Sequence, residues 1–595
     1  MNDPSPSFGL VIHATHEAGV KVGGIGAVLD GLLGSEAYNA GVRETMLVGT
    51  MDVNNPEEME RLLSPSNALD VAYSSVHDIV DAAADLIDGL REIEQRHDVT
   101  ILYGTRAFGN TKHRILLVDG QHANPARVNA FKAQLYERFG IQSDRYESQP
   151  EYNLFVNAAE AQYEALRAIV GDREGTIVAH EFMGLPFCYS ATIHARDLYR
   201  TVFYGHETVA VRPIVESHPG HDTMFYNVLA QASAQGQYLE DVFGDQSAFY
   251  KHALVQPVPA HLDNIVAVGD WVVREMRFLG PAWANASIDL VYNGVPSQRT
   301  MLDQKQQSRA RLQQYCMNLL GYRPDYIFTH VTRFVPSKGL WRDIAVMQHL
   351  APMLAQQGKR AALFVLATVI PVGRPADAVF EMEARYGWPV YHREANIQVG
   401  DQNVPDLVSH EIPFYHAADQ FNRTQAAGAI VLVNQFGWSR GRCGLRMPEN
   451  MQFLDIRQGT DLEFGQSVYE PFGIAQVEPL SYGALCVVSR ICGCVGFLER
   501  VGGLSEPNVL LADYTDVTPR PTTVQAALSI DQARRDQVET HKAAEIARDI
   551  MSRLPQNEDQ ERHLLESGYQ VSQRMSWEVV ARDYFLPALE HARRG

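Results

Sequence analysis

Several stretches of this chain hold residue types that could bind an anion attached to a polyol. The first is Lys21-Val22-Gly23-Gly24-Ile25-Gly26, which follows a short apolar run, Phe8 to Ile12, and precedes a helix-compatible one, Ala27 to Leu33. Glycines at a strand-to-helix turn let the backbone approach an anion, and the exposed N–H groups and dipole of the helix favour negative charge. Lys21 would add a mobile cation. The turn is neither the dinucleotide fingerprint, since Leu29 stands where a third glycine is needed, nor a phosphate loop of the Walker kind, since its lysine precedes the glycines. Arg333 and Lys338 form a second group, just past the apolar run Tyr326 to Val331 and before a helix that begins near Leu340. A third group is Glu470-Pro471-Phe472-Gly473 with Glu478, one carboxylate in a loop and one about a turn and a half into a helix opening near Ile474. Two such acceptors suit the hydroxyls of two linked sugars. His180-Glu181 and His206-Glu207 each follow a strand, where ligands gather in parallel sheets. His180 reads as a residue bonded to nearby backbone, and His206 as a functional one.

The elements that must position these groups follow from length and periodicity. At 595 residues the chain exceeds one ordinary core and should form two large domains. Its first part alternates strand-like segments (Thr45 to Gly49, Ile101 to Tyr103, Arg114 to Val118, Thr176 to His180, Thr201 to Tyr204, Ile265 to Val268) with helical ones such as Leu154 to Val170. That alternation predicts an α/β fold with a parallel sheet. The polar run Asp303 to Ser308 reads as a linker or exposed helix, so the first domain spans 1–300 and the second 301–570. The stretch 373–462 is of mixed character and reads as an insertion in the second domain, and 571–595 as a closing helix.

Composition excludes other classes. Hydrophobic content of 46% suits a globular enzyme, and a formal charge of -20 repels nucleic acid while leaving room for a small anion at local cations. Neither a secretory leader at Met1 to Pro6 nor an apolar run near the roughly 20 residues of a membrane span is present, which predicts a cytoplasmic protein. The six cysteines are scattered, Cys492-Gly493-Cys494 has too short a gap for the usual zinc spacing, and no Asp-x-Asp triplet signals a metal-held nucleotide sugar. No metal and no resident cofactor are expected.

The set resembles a family, the retaining glycosyltransferases with two Rossmann-like domains (GT-B), and within it the glycogen and starch synthases. Glu17 to Gly26, His180-Glu181, His206, Arg333 with Lys338-Gly339, and Glu470 to Glu478 carry the resemblance in the family's order, and Ser576-Trp577-Glu578 is similar to its closing helix. The Glu17 segment is closer to the animal and fungal enzymes, the Glu470 segment to the bacterial and plant ones. Cys492-Gly493 stands where the family usually has a glycine pair, and Gly496 where it has an acid. The resemblance implies two domains facing a central cleft, with acceptor glucan mainly on the first, nucleotide sugar mainly on the second, and the last helix crossing back to the first. It further implies that Lys21, Gly23 and Gly24 face the donor, that Arg333 and Lys338 neutralise the leaving diphosphate, and that Gly493 lies in a donor-phosphate loop. Glu470 would contact the donor glucose, Glu478 the ribose, and His206 a donor-sugar hydroxyl. The implied activity is transfer of glucose, with retention, from ADP-glucose or UDP-glucose to the non-reducing end of an α-1,4-glucan. A related transferase making a small glucoside or disaccharide, and a non-catalytic carbohydrate-binding relative, are the alternatives. The joint presence of Lys21, Arg333, Lys338, Glu470 and Glu478 speaks against the last, and a homo-oligomer is left open.

Overall fold

The computed structural model describes residues 7–594; Met1 to Pro6, read above as lacking a leader, lie outside them. The chain divides into two units, one formed by the chain up to Val211, by Gly236–Gly294 and by the chain from Trp577, the other by Arg212–Gln235 and Val295–Ser576.

In the first unit ten strands form one sheet: β1 (Val11–Ala14), β2 (Thr45–Thr50), β3 (Leu69–Ser74), β4 (Ile79–Val80), β5 (Thr100–Phe108), β6 (Thr111–Asp119), β7 (Gly175–His180), β8 (Tyr199–Gly205), β9 (Asn264–Ala267) and β10 (Ile288–Leu290). Their order is β10-β9-β8-β7-β1-β2-β6-β5-β3-β4. The strands from β10 to β6 pair in parallel, whereas β5, β3 and β4 add an antiparallel edge that the alternating pattern did not predict. β1 and β2 are buried throughout, which is why they read as unbroken apolar runs. Phe8 does not belong to β1; it makes an isolated bridge with Val42.

The C-terminal segment holds the Gly-rich turn's helix, Gly24–Leu33, in place. A Cβ at Gly31 would lie 2.1 Å from the Trp577 ring, and one at Gly294 would lie 2.5 Å from it. Both positions need glycine so that the indole can seat. Glu578 accepts hydrogen bonds at 2.8 Å from the N–H groups of Glu36 and Ala37, which open the next helix, Glu36–Gly41. A carboxylate there satisfies two donors that the helix itself leaves unpaired.

The second unit is a six-stranded parallel sheet of β11 (Tyr326–Val331), β12 (Ala361–Leu366), β15 (Gly428–Val433), β16 (Leu462–Gly465), β17 (Leu485–Ser489) and β18 (Val509–Ala512), in the order β15-β12-β11-β16-β17-β18. A separate hairpin joins β13 (Ile397–Val399) to β14 (Gln402–Val404). The stretch 373–462 is therefore not one insertion: it supplies the edge strand β15, the helix Ile412–Thr424 that packs against it, and the short helix Phe453–Gln458. β15 escaped notice because its apolar run lies within a long stretch of mixed character, among glycines and prolines that break the pattern on either side.

The polar run after residue 300 is also more than a linker. Leu302–Leu320 is a helix whose narrow apolar stripe includes Leu312, Tyr315 and Cys316, and buried Lys305 donates to the carbonyls of Thr460 at 2.6 Å and Tyr482 at 2.9 Å. The segment Arg212–Gln235 lies before the expected boundary yet packs with the second unit. Arg342 holds it: Nη1 and Nη2 donate to the Asp222 carboxylate at 3.0 and 2.7 Å, and Nε donates to Glu539 at 2.8 Å. Among the described residues no helix is long and apolar enough to cross a membrane.

Two expectations follow from this packing. Alanine in place of glycine within a helix ordinarily gains about 1 kcal/mol, but Gly31→Ala should destabilise because displacing Trp577 costs about 1–3 kcal/mol; a lowered urea midpoint with unchanged slope would register it. Asp222→Ala leaves the Arg342 guanidinium buried with half its partners, which should cost about 3–5 kcal/mol. Chemical denaturation checks that value, and a loss under 1 kcal/mol would show that the pair does not secure this segment.

Candidate functional site

On the first unit the Gly-rich turn takes an arrangement different from the expected phosphate cradle. The Glu17 carboxylate, itself buried, accepts from the N–H groups of Val22 and Gly23 at 2.7 and 2.6 Å. The Gly23 N–H is therefore spent inside the turn, and Gly26 is needed because a Cβ there would lie 2.4 Å from Glu17. Gly24 opens the helix and has nothing within 4 Å of a built Cβ, so space remains in front of it. Lys21 is half exposed and pairs with Asp30 at 2.9 Å, on the same helix, rather than standing free.

The strand-end histidines are joined in a way the sequence did not disclose. His180 does not bond to backbone as expected. Its Nδ1 lies 2.9 Å from His206 Nε2 and its Nε2 lies 2.8 Å from His13 Nδ1. Glu181 accepts from the backbone N–H groups of His206 and Glu207, fixing the loop that carries His206. Burial, then His180 and His113, holds His13 well below the usual histidine range, and burial, then His206 and His16, does the same to His180. Burial, followed by His16, pushes His206 down to about 3.

On the second unit Lys338 and Glu470, far apart in sequence, form an ion pair, with side chains only 10% and 13% exposed. Gln476 Nε2 reaches Glu470 at 3.4 Å and Ser467 Oγ at 2.7 Å, so the carboxylate is oriented from two sides. Arg333, near Lys338 in the chain, is exposed and makes no ion pair among the described residues. Glu478 does not lie well inside a helix: Ile474–Val477 is a single turn, and Glu478 opens the 3₁₀ segment Glu478–Tyr482.

Gly493 is needed for close packing rather than for an open N–H. A Cβ there would fall 1.7 Å from the Pro471 carbonyl oxygen, and its N–H donates to Glu470 O at 3.0 Å. Cys492 and Cys494 are buried free thiols with Sγ atoms 3.2 Å apart, and burial, then Cys492, pushes the Cys494 thiol well up. No group of three His, Cys, Asp or Glu suited to a metal ion occurs among the described residues.

Three contributors were missed. Arg457, on Phe453–Gln458 and fully buried, lies 3.2 Å from both Glu463 and Glu478 and so orients the second carboxylate. Arg212 Nη1 donates to Ser337 Oγ at 3.3 Å and its guanidinium lies 5.0 Å from the centre of the Tyr469 ring, between the neighbours of Lys338 and Glu470. His13, on β1, lies just past the apolar run Phe8 to Ile12. No spacing rule marks the two arginines, because each comes from a segment assigned elsewhere, and none marks His13, which the pairing of β1 with β7 brings to His180.

The second unit offers a sheltered Lys–Glu pair, a second fixed carboxylate and an exposed arginine; the first offers a half-exposed lysine and an imidazole line ending at a partly exposed ring. No protein-family model and no curated protein matches the sequence. Solved structures do. The catalytic domain of starch synthase IV from Arabidopsis thaliana, described with ADP and acarbose bound, aligns with 99% of this chain and 100% of its own at 14% identity and a TM-score of 0.51. The N-terminal domain of trehalose-6-phosphate phosphatase from Candida albicans aligns with 99% of this chain and 98% of its own at 10% identity and a TM-score of 0.52. With two Rossmann-like units and these neighbours, the chain has the GT-B fold.

Proposed function

We propose that this chain transfers glucose, with retention, from ADP-glucose or UDP-glucose to the non-reducing end of an α-1,4-glucan. The observation that carries the reading is the Lys338–Glu470 pair, with Glu478 held by Arg457 on the same unit. A cation for a diphosphate and carboxylates for sugar hydroxyls is the donor set a nucleotide sugar requires.

In the proposed reaction the bond between the anomeric carbon and the diphosphate oxygen breaks, and the electron pair leaves with the nucleoside diphosphate. Lys338 and Arg333 neutralise that charge, aided by the N-terminus of the helix Leu340–Gln356. The acceptor hydroxyl oxygen bonds to the carbon from the face the phosphate leaves, and its proton passes to the departing phosphate oxygen. Glu470 holds donor glucose hydroxyls, Glu478 holds the ribose, and His206 contacts the sugar. Gly24 gives the donor room at the turn. Lys21 can leave Asp30 for the diphosphate at small cost, since an exposed pair contributes about 0–1 kcal/mol. The reading needs no resident cofactor and places the protein in the cytoplasm, with nucleotide sugar and glucan as its partners.

A small-sugar acceptor is the second reading; what supports it is that the trehalose-6-phosphate phosphatase N-terminal domain aligns at a TM-score of 0.52, beside 0.51 for the starch synthase. One assay separates the readings: nucleoside diphosphate release from ADP-, UDP- and GDP-sugars, with glycogen or with small sugars. Glycogen-dependent release from ADP- or UDP-glucose is expected, with kcat lowered about 10²–10³-fold in Lys338→Ala. Release only with a small acceptor would favour the second reading, and no release from any donor would overturn both.

A further inference from the structure

Five side chains of the first unit form one unbroken hydrogen-bonded line. Thr45 Oγ1 lies 2.8 Å from Tyr38 Oη, which lies 3.0 Å from His13 Nε2; His13 Nδ1 lies 2.8 Å from His180 Nε2, and His180 Nδ1 lies 2.9 Å from His206 Nε2. Thr45, His13 and His180 stand on β2, β1 and β7, and His206 follows β8, so the line crosses four strands in the order in which they pair. Thr45, Tyr38, His13 and His180 are buried, and only His206 is partly exposed.

A neutral imidazole has one N–H and one lone pair, so each ring that accepts from one neighbour must donate to the other. The choice made at one end therefore propagates to the other, and the line has two uniform arrangements. In one, Thr45 donates to Tyr38, Tyr38 to His13 Nε2, His13 Nδ1–H to His180, and His180 Nδ1–H to His206 Nε2. His206 then presents Nδ1–H at the open end. In the reverse arrangement the Thr45 hydroxyl must donate away from Tyr38, and its contacts among the described residues include no other side-chain acceptor. A buried donor without an acceptor is disfavoured.

We propose that Tyr38 and His13, acting through His180, are positioning residues that lock His206 in its Nδ1–H tautomer, so that the site presents a neutral hydrogen-bond donor to an oxygen of the bound sugar. The proposal rests on the sugar-transfer reading above and adds residues to it. Burial first, and then repulsion from nearby histidines (His180 and His113 for His13, His206 and His16 for His180, His16 for His206), favours the neutral form of all three rings, which the one-proton accounting requires. A neutral donor also suits the chemistry: an imidazolium would repel an anomeric carbon that gains positive charge as the diphosphate leaves.

Nitrogen-15 NMR of the full chain labelled at histidine reads the tautomer directly, with His206 assigned by difference from His206→Gln. In the wild type a pyrrole-type Nδ1 and a pyridine-type Nε2 are expected. Tyr38→Phe removes the donor that fixes the direction of the line, leaves His13 Nε2 without this partner in either arrangement, and should turn the single His206 signature into a mixture of both tautomers. Thr45→Val leaves Tyr38 with His13 as its acceptor and should keep the wild-type signature, a contrast that a merely structural role would not produce. A protonated Nε2 in the wild type overturns the proposal even if Tyr38→Phe fails to fold, and so does one signature shared by all folded variants. Diphosphate release measured on the same samples is a separate readout. The expected tautomer pattern without transfer would overturn the sugar-transfer reading and leave the lock standing, and transfer with the wrong tautomer would overturn the lock alone.

Discussion

Parallel strands bring their carboxyl ends to one edge of a sheet, and nearly every group of interest here sits just past such an end. His180 closes β7, His206 follows β8, the Gly-rich turn follows β1, and Arg333 and Lys338 follow β11. Because neighbouring parallel strands lie close together, about 4.8 Å apart, side chains at their ends are brought within reach of one another. The imidazole line is a direct product of that spacing. The constraint also explains why the antiparallel edge of the first sheet, β5, β3 and β4, contributes none of the candidate residues.

Glycine has two distinct uses in the chain. At Gly31, Gly294 and Gly493 it permits contact: an indole seats against the first two, and a carbonyl oxygen approaches the third more closely than any side chain would allow. At Gly24 the space in front of the backbone is open. Only the second use is compatible with a ligand. Neither a glycine-rich turn nor the resemblance separates the two, and the N–H groups of Gly23 and Gly493, which the resemblance implies as donor contacts, are committed to Glu17 and Glu470.

Charge is handled by pairing within each unit. Lys338 is paired with Glu470, Arg457 with Glu463 and Glu478, and Arg342 with Asp222 and Glu539. Buried pairs of this kind contribute little net stability but cost several kcal/mol when one partner is removed. Their effect is to hold carboxylates in one orientation, and Glu478 is the clearest case, since its partner comes from the short helix Phe453–Gln458.

The two-unit α/β architecture was legible in the sequence because it depends on local patterns: buried apolar strands, helical periodicity, and glycines at strand ends. The candidate residues were legible in part for the same reason, each lying in a short motif whose chemistry can be read without knowing its neighbours. Contacts between residues far apart in the chain were not legible. The transfer of Arg212–Gln235 to the second unit, the role of β15, the orientation of Glu478 by Arg457 and the line from Thr45 to His206 all depend on which strands become neighbours. Strand order and buried side-chain pairing follow from the packing of the whole chain, and no local spacing encodes them.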